Sequence, residues 1–447
     1  MKRLPYIIFS ILFPFLLYGQ NSTFVPGGFI RSGVYITTGT YRQNINTVFA
    51  DAALRCNISD GSSFSGFADL RIGERKQYGE DISSYKVRES WVTWYNNMIS
   101  ITAGKKIIKW GTTDFFTPLS RFNPIDYSFR SCDNEDKDMG EFLGEADITP
   151  SPAFRISIVA SPLWNPSVLL TGPMTLPFNF HLSVPEGFQT GNAGYSFGIR
   201  TCFTVRQTDL AFQWFHGADP TPGLKLDSAD FTNIYNPYIY IIGAPYRIDN
   251  FGFDFETAVA SVVIRGTLSY SKPADVKKGK EWVPFPQLEC VGGIDWTPGD
   301  FHITAEYSYK MLMDYYKSPY SPLIGTKPDL AGLMILFSSP EFDPVEYARL
   351  QTEAFNRLYN NQLEKHYHSI GLRVEYELAY GKLLPSFTGM YGITSGDLMI
   401  LPSVKYKPAD NISVTAGAEN YSGKKGGLYS IIDDFINAVF VTLRVDF

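Results

Sequence analysis

Apolar and polar residues alternate along most of this chain. In FHITAEYSYK, Phe301, Ile303, Ala305, Tyr307 and Tyr309 share one face, and His302, Thr304, Glu306, Ser308 and Lys310 share the other. A period of two describes a strand with one apolar and one polar face. QLECVGGIDW repeats it, with Leu288, Cys290, Ile294 and Trp296 against Glu289 and Asp295. So does SIGLRVEYELAY, where Ile370, Leu372, Val374, Tyr376 and Leu378 oppose Arg373, Glu375 and Glu377.

TPGD (297–300), AYGK (379–382), KPAD (407–410) and TPSP (149–152) place Pro, Gly and Asp where tight reversals need them. Other connections are long: 110–140, 164–192, 218–245, 272–286 and 312–365. Alternating short and long connections predict a transmembrane β-barrel, with tight periplasmic turns and long extracellular loops. Strands are expected near 28–39, 45–57, 63–75, 84–95, 98–109, 140–150, 153–163, 193–205 and 208–217. The second half continues with 246–258, 261–271, 287–297, 300–311, 366–379, 382–394, 397–407, 411–421 and 434–447. The segment NPYIYIIGAPY (236–246) offers a further pair, so the expectation is about 18 strands, within a range of roughly 16–20. The fold class is all-β, a transmembrane antiparallel β-barrel with long extracellular loops. One loop carries a helix: DPVEYARLQTEAFNRLYNNQLEK sets Pro344 after Asp343, with a stripe of Tyr347, Leu350, Phe355, Leu358 and Leu363. That helix fits a plug, a docking surface or a cap.

The ends agree with this class. Lys2 and Arg3 precede an apolar run from Leu4 to Tyr18 and a small Gly19, the form of a secretory signal peptide over 1–19. Residues 20–447 are then one barrel domain, exported to the outer membrane of a Gram-negative bacterium. Beyond residue 20 no run of about 18 apolar residues predicts a membrane helix. The chain ends NAVFVTLRVDF, where Val439, Val441, Leu443, Val445 and Phe447 alternate. A last strand with an aromatic end resembles the signal read by the barrel-assembly machinery, an expected partner beside outer-membrane lipid and lipopolysaccharide. Aromatics make up 15% of residues, enough for interfacial girdles. Without Lys2 and Arg3, 37 basic residues face 45 acidic ones, about −8, which argues against nucleic acid. Cys56, Cys132, Cys202 and Cys290 are far apart, and the strand phases turn Cys56 and Cys290 outward and Cys202 inward, so free thiols are expected.

If apolar faces meet lipid, polar faces line a lumen. Arg31, Arg55, Arg71, Lys106, Arg155, Arg200, Arg265, Lys310, Arg373, Lys405 and Arg444 point inward on this phase. So do Asp51, Asp69, Glu89, Glu141, Glu145, Asp147, Asp254, Glu256, Glu289, Asp295, Glu306, Glu375 and Glu377. Interleaved signs fit a polar channel of weak charge selectivity, and equally a network of braces. Arg71, Asp69, Arg265, Glu256, Glu289, Glu306, Arg373 and Glu375 are the candidate wall residues.

The stretch GKKIIKWGTTDFFTPLSRFNPIDY (104–127) passes from strand to loop. Here Trp110 is expected at the outer girdle, and Lys106, Lys109, Arg121 and Asp126 are candidate eyelet charges. Enzymatic readings fare poorly. No GxSxG occurs, and five histidines include only one close pair, His366 and His368, with no carboxylate or Cys cluster at ligand spacing. Neither catalytic residues, metal nor cofactor are expected.

Together, YRQNINTVFADAALRCNISDGSSFSGFADLRIGE and the stretch from KVRESW to NPIDY resemble the alginate-export-like outer-membrane barrels. In that family a strand ending Gly-Arg-Gln-x-x-x-Trp-Gly leads to a loop with Asn-Pro-x-Asp. Gly104, Lys105, Lys106, Trp110, Gly111, Asn123, Pro124 and Asp126 match, with Lys at the Arg and Gln positions. The resemblance implies about eighteen strands and a polar pore. The expected function is a porin-like channel for small polar solutes, such as saccharides or organic anions. A plugged barrel serving as partner or scaffold of an envelope complex is the alternative. The apolar LAGLMILF segment points more weakly to a fatty-acid-type transporter.

Overall fold

The computed structural model describes residues 22–39, 45–170, 179–185, 187, 189, 194–233, 238–274, 280–317, 339 and 341–447. The wall begins with β1 (Thr23–Thr37), β2 (Ile45–Ser59), β3 (Phe64–Gln77), β4 (Glu80–Tyr95) and β5 (Ile99–Lys106). It continues through β6 (Glu141–Ser151), β7 (Phe154–Ser161), β9 (Ser196–Val205) and β10 (Thr208–Ala218). Then come β13 (Arg247–Val259), β14 (Val262–Pro273), β15 (Gln287–Trp296), β16 (Phe301–Leu312) and β17 (His366–Tyr376). It ends with β18 (Leu383–Gly392), β19 (Leu398–Ala409), β20 (Ile412–Ser422) and β21 (Ala438–Asp446). The intervening β8 (Asn179–Ser183), β11 (Gly223–Asp230) and β12 (Tyr238–Ala244) form a separate three-stranded sheet.

These eighteen wall strands form one antiparallel sheet, and β1 also pairs with β21, Arg31 opposite Arg444, which closes it. A closed sheet leaves no edge and satisfies the backbone polar groups that lipid cannot. The period of two becomes two surfaces. On β1, Ile30 is 60% exposed, whereas Phe29 and Arg31 are 1% exposed. Val439, Val441 and Leu443 likewise face out from β21. Phe447 closes the last turn of the ladder, exchanging backbone hydrogen bonds with Gly28 at 3.0 and 3.1 Å.

Each expected strand is present, with shifted ends. β5 stops at Lys106, three residues before the expected 109. β21 starts at Ala438, because Leu428–Ile436 is helical. Lys407-Pro408-Ala409 and Thr149-Pro150-Ser151 belong to strand ends, so the tight reversals expected at KPAD and TPSP fall slightly later, with Ala409 opposite Ile412 and Ser151 opposite Phe154. Glu377 lies just past the end of β17. The β13–β14 reversal is made without glycine: Ala260 takes φ +55°, as Arg206 does at +58° between β9 and β10. NPYIYIIGAPY supplies β12 of the small sheet, not a further wall pair.

The small sheet belongs to a cap at the long-loop end. Helix α1 (Pro344–Tyr359) begins at Asp343, whose carboxylate accepts from the Val345 and Glu346 amides at 2.9 and 3.2 Å. Helix α2 spans Leu428–Ile436. Leu224 of β11, Ile239 and Ile241 of β12, Phe355 and Leu358 of α1, and Ile431, Ile432 and Phe435 of α2 share one buried apolar core. Asn356 stitches α1 to β11, donating to the Leu224 carbonyl at 2.7 Å and accepting from its amide at 2.9 Å. The helix expected in this loop is present and packs into that cap. The segment 1–19 and the LAGLMILF run lie outside the described residues.

Candidate functional site: a loop folded into the barrel

The connection between β5 and β6, residues 107–140, turns into the lumen and touches widely separated parts of the wall. Its neck is clamped by Asn123. That side chain accepts from the Ile108 amide at 2.7 Å and donates to the Met139 carbonyl at 3.1 Å, so one amide ties the outgoing and returning chain. Trp110 is buried here, edge-on to Phe122 at 5.0 Å, within an apolar cluster that includes Leu143, Val159, Phe215 and Ile248. Its expected place at the outer girdle is therefore corrected. The inward faces of β6, β7, β10 and β13 break the polar pattern at those four residues, and the indole is drawn to them rather than to lipid.

The tip of the loop reaches β16. The Glu306 carboxylate, 4% exposed, accepts from three successive backbone amides: Asp114 at 2.6 Å, Phe115 at 3.0 Å and Phe116 at 3.2 Å. Charge-assisted bonds of this kind are about twice as strong as neutral ones. Arg265 on β14 holds the same tip through the Thr112 carbonyl and the Asp114 carboxylate, both at 3.1 Å. It also pairs with Asp295 and, at 3.4 Å, with the half-exposed Glu256. The Phe115 ring lies over Gly371, with the Arg373 guanidinium 5.3 Å from its centroid. Leu119 covers Gly252, and Trp110 with Phe122 covers Gly198. A Cβ at any of these three inward glycines would stand 2.3–2.8 Å from the loop's side chains. They mark close approach to the wall.

The returning half crosses to β1–β4. Asp126 pairs with Lys86 at 2.7 Å. Asp136 bridges Arg31 and Arg71, each at 2.6 Å, and Ser131 and Asp133 add further contacts to Arg31. Burial alone would push the Asp136 carboxyl up, but Arg31, Ser131 and Arg71 outweigh it and hold it down at about 2. Asp126 is shifted down as well: Lys86, Ser128 and Arg75 overcome the cost of burial. Arg130 reaches Glu419 on β20 and the Ile436 carbonyl at the end of α2.

The four candidate eyelet charges are all partnered: Lys106 with Glu145, Lys109 with Asp138 at 2.8 Å, Arg121 with Asp219 at 3.2 Å, and Asp126 with Lys86. Of the wall candidates, Asp69 is fully buried among Arg55, Arg71 and Arg88. Glu289 accepts from Ser308 at 3.2 Å. Glu375 is exposed and, among the described residues, makes no ion pair. The roles of Asp136, Arg88 and Ser131 escaped sequence reasoning. The glycines and apolar residues on a polar face were the available signal.

One part of the inner wall carries a run of partly exposed polar residues. Ser386 and Thr388 of β18, Ser403 and Lys405 of β19 and Thr415 of β20 are partly exposed. Arg373 and Lys405 border this lane, and neither has an ion-pair partner among the described residues. His366 and His368 point the other way, outward, against the hydroxyls of Tyr309 at 2.9 Å and Tyr307 at 2.6 Å. Among the described residues no three metal-ligating side chains stand together. The four cysteines are free.

No family model and no curated protein matches this chain. Solved structures do. The outer membrane protein opdK from Pseudomonas aeruginosa is 7% identical, with 95% of this chain and 98% of that one covered and a TM-score of 0.54. OccAB1 of Acinetobacter baumannii is 8% identical, with 96% and 97% covered and a TM-score of 0.52. OccK2 (OpdF) of Pseudomonas aeruginosa, solved in complex with glucuronate, is 8% identical, with 95% and 97% covered and a TM-score of 0.50. At such identities the likeness lies in the fold: a closed barrel of the outer-membrane porin type.

Proposed function

We propose that this chain is an outer-membrane channel of the porin kind, passing small polar solutes with a modest preference for anions. The carrying observation is the lane along β17–β20. Its polar residues are partly exposed, and its Arg373 and Lys405 have no ion-pair partner among the described residues. Ser386, Thr388, Ser403 and Thr415 offer hydroxyls that exchange for a solute's hydration shell. Glu375 tempers the positive field, so the preference is weak. On the same reading the apolar outer face meets lipid and lipopolysaccharide, and the Phe447 strand is read by the barrel-assembly machinery. The match of Gly104 to Asp126 with alginate-export-like barrels supports a polar pore.

The test is a planar-bilayer recording with the purified barrel. Open steps are expected, with a reversal potential in a salt gradient that favours chloride over potassium. Arg373→Glu with Lys405→Glu should move that potential to the cation side. A barrel that inserts yet stays silent would instead favour the plugged partner subunit, with the cap and the inner loop as its plug.

A further inference from the structure

We infer that a cavity between β3, β4 and the inner loop is a docking stop for small organic monocarboxylates, with Arg75 as the carboxylate receptor. The cavity measures about 420 Å³. Arg75 and Gln77 of β3, Ser84 and Lys86 of β4, and Asp126 and Ser128 of the loop line it. Most of these groups are already used. Lys86 pairs with Asp126 at 2.7 Å, and Gln77 donates to the Ser128 carbonyl at 2.8 Å.

Arg75 is the exception. Its inward-facing neighbours Arg31, Arg55, Arg71 and Arg88 each have a carboxylate within 3.7 Å. Arg75 makes no hydrogen bond and no ion pair with any described residue. Its guanidinium instead lies 3.9 Å from the Phe129 ring centroid. Stacking of this kind holds the plane of the guanidinium and leaves its edge donors free. A planar fork of free donors matches a carboxylate bidentately. Lys86, whose ammonium is 5.6 Å from the same ring, adds positive charge that Asp126 neutralises.

The class of ligand follows from the rest of the lining. The Ser84 and Ser128 hydroxyls donate to the Gly73 carbonyl at 3.3 Å and the Asp126 carboxylate at 2.6 Å, which leaves their oxygens to accept from a hydroxylated tail. Glu80 stands exposed at the same cavity and repels a second carboxylate. A polyhydroxylated monoacid fits; its diacid and its neutral analogue do not. This site rests on the channel reading for its purpose, since it would collect solute before the lane, but its binding is measured separately.

Isothermal titration of the detergent-solubilised full-length barrel uses gluconate, glucose and glucarate, which share one carbon skeleton. Gluconate should bind, with glucose and glucarate weaker by about tenfold or more. Arg75→Gln should abolish the gluconate signal while its conductance steps persist, which shows the barrel intact. Arg75→Lys should recover only part of it, since an ammonium lacks the fork. Equal binding of gluconate and glucose, or undiminished binding by Arg75→Gln, would overturn the proposal. A wild-type barrel that conducts but does not bind gluconate would overturn it too and leave the channel reading standing.

Discussion

The inner faces of β13–β16 and of β17–β20 come from the same alternating pattern, yet they end in different states. On β13–β16, Asp254, Thr267, Ser269, Asp295, Thr304, Glu306 and Ser308 are all buried. On β18–β20, Ser386, Thr388, Ser403, Lys405 and Thr415 remain partly exposed. The difference is the loop 107–140, whose segment 112–121 lies against the first face and ends at Gly371 on the border of the second. A carboxylate on the covered face becomes a structural anchor. On the proposed channel reading, a cation on the open face keeps its charge for the solute. Luminal position alone therefore does not make a residue pore-lining; what covers it decides.

The comparison can be broken at its border. Gly371→Leu should have the largest effect, because the new side chain needs the space that the Phe115 ring occupies. The tip is expected to lift from β17, changing single-channel conductance by roughly twofold or more. Gly389→Leu, whose position on β18 faces out beside Phe387, is the control and should leave conductance unchanged.

A smaller effect should come from pH. The Asp136 carboxyl sits at about 2 in the folded loop, against an ordinary 3.8. A depressed carboxylate stabilises the docked loop above the ordinary value. That contribution fades as pH falls from about 4 and is lost as pH passes through about 2. Hydrogen exchange of the 131–138 amides should thus stay constant from pH 7 to 5 once corrected for intrinsic rates. Protection should then fall between pH 4 and 2. Asp136→Asn should show reduced protection at pH 7 and little further change on acidification.

The wall was legible because its signal is local. Ile370, Leu372 and Val374 against Arg373 and Glu375 need only their neighbours to declare a strand. The loop's path was not legible in the same way. Glu306 meets the 114–116 amides across about 190 residues of chain, and nothing near either segment names the other. Only indirect marks were present: Gly198, Gly252 and Gly371 where a polar luminal side chain was due, and Leu143, Val159, Phe215 and Ile248 on a face that should have been polar. Trp110 was misplaced for the same reason. An indole after a strand reads as an interfacial anchor unless an apolar luminal patch competes for it. The motif residues Asn123 and Asp126 were singled out from the resemblance, and the structure supplies their use: one clamps the neck of the loop, the other ties it to β4. Arg75 shares the face of Arg71, but that it has no ion-pair partner among the described residues is a tertiary fact.

Glu306 holds the loop tip against β16, and this contact separates the loop-filled side of the lumen from the side along β18–β20. Single-channel recording of Glu306→Ala beside the parent barrel tests it most directly. Removing the carboxylate leaves three amides without their acceptor and the tip held by Arg265, a long Thr112 hydroxyl bond to the Phe255 carbonyl at 3.5 Å, and packing. Glu306→Ala should show a larger conductance with frequent substates, and a weaker anion preference as buried acids become exposed. A variant that folds normally and matches the parent in conductance, noise and selectivity would contradict it.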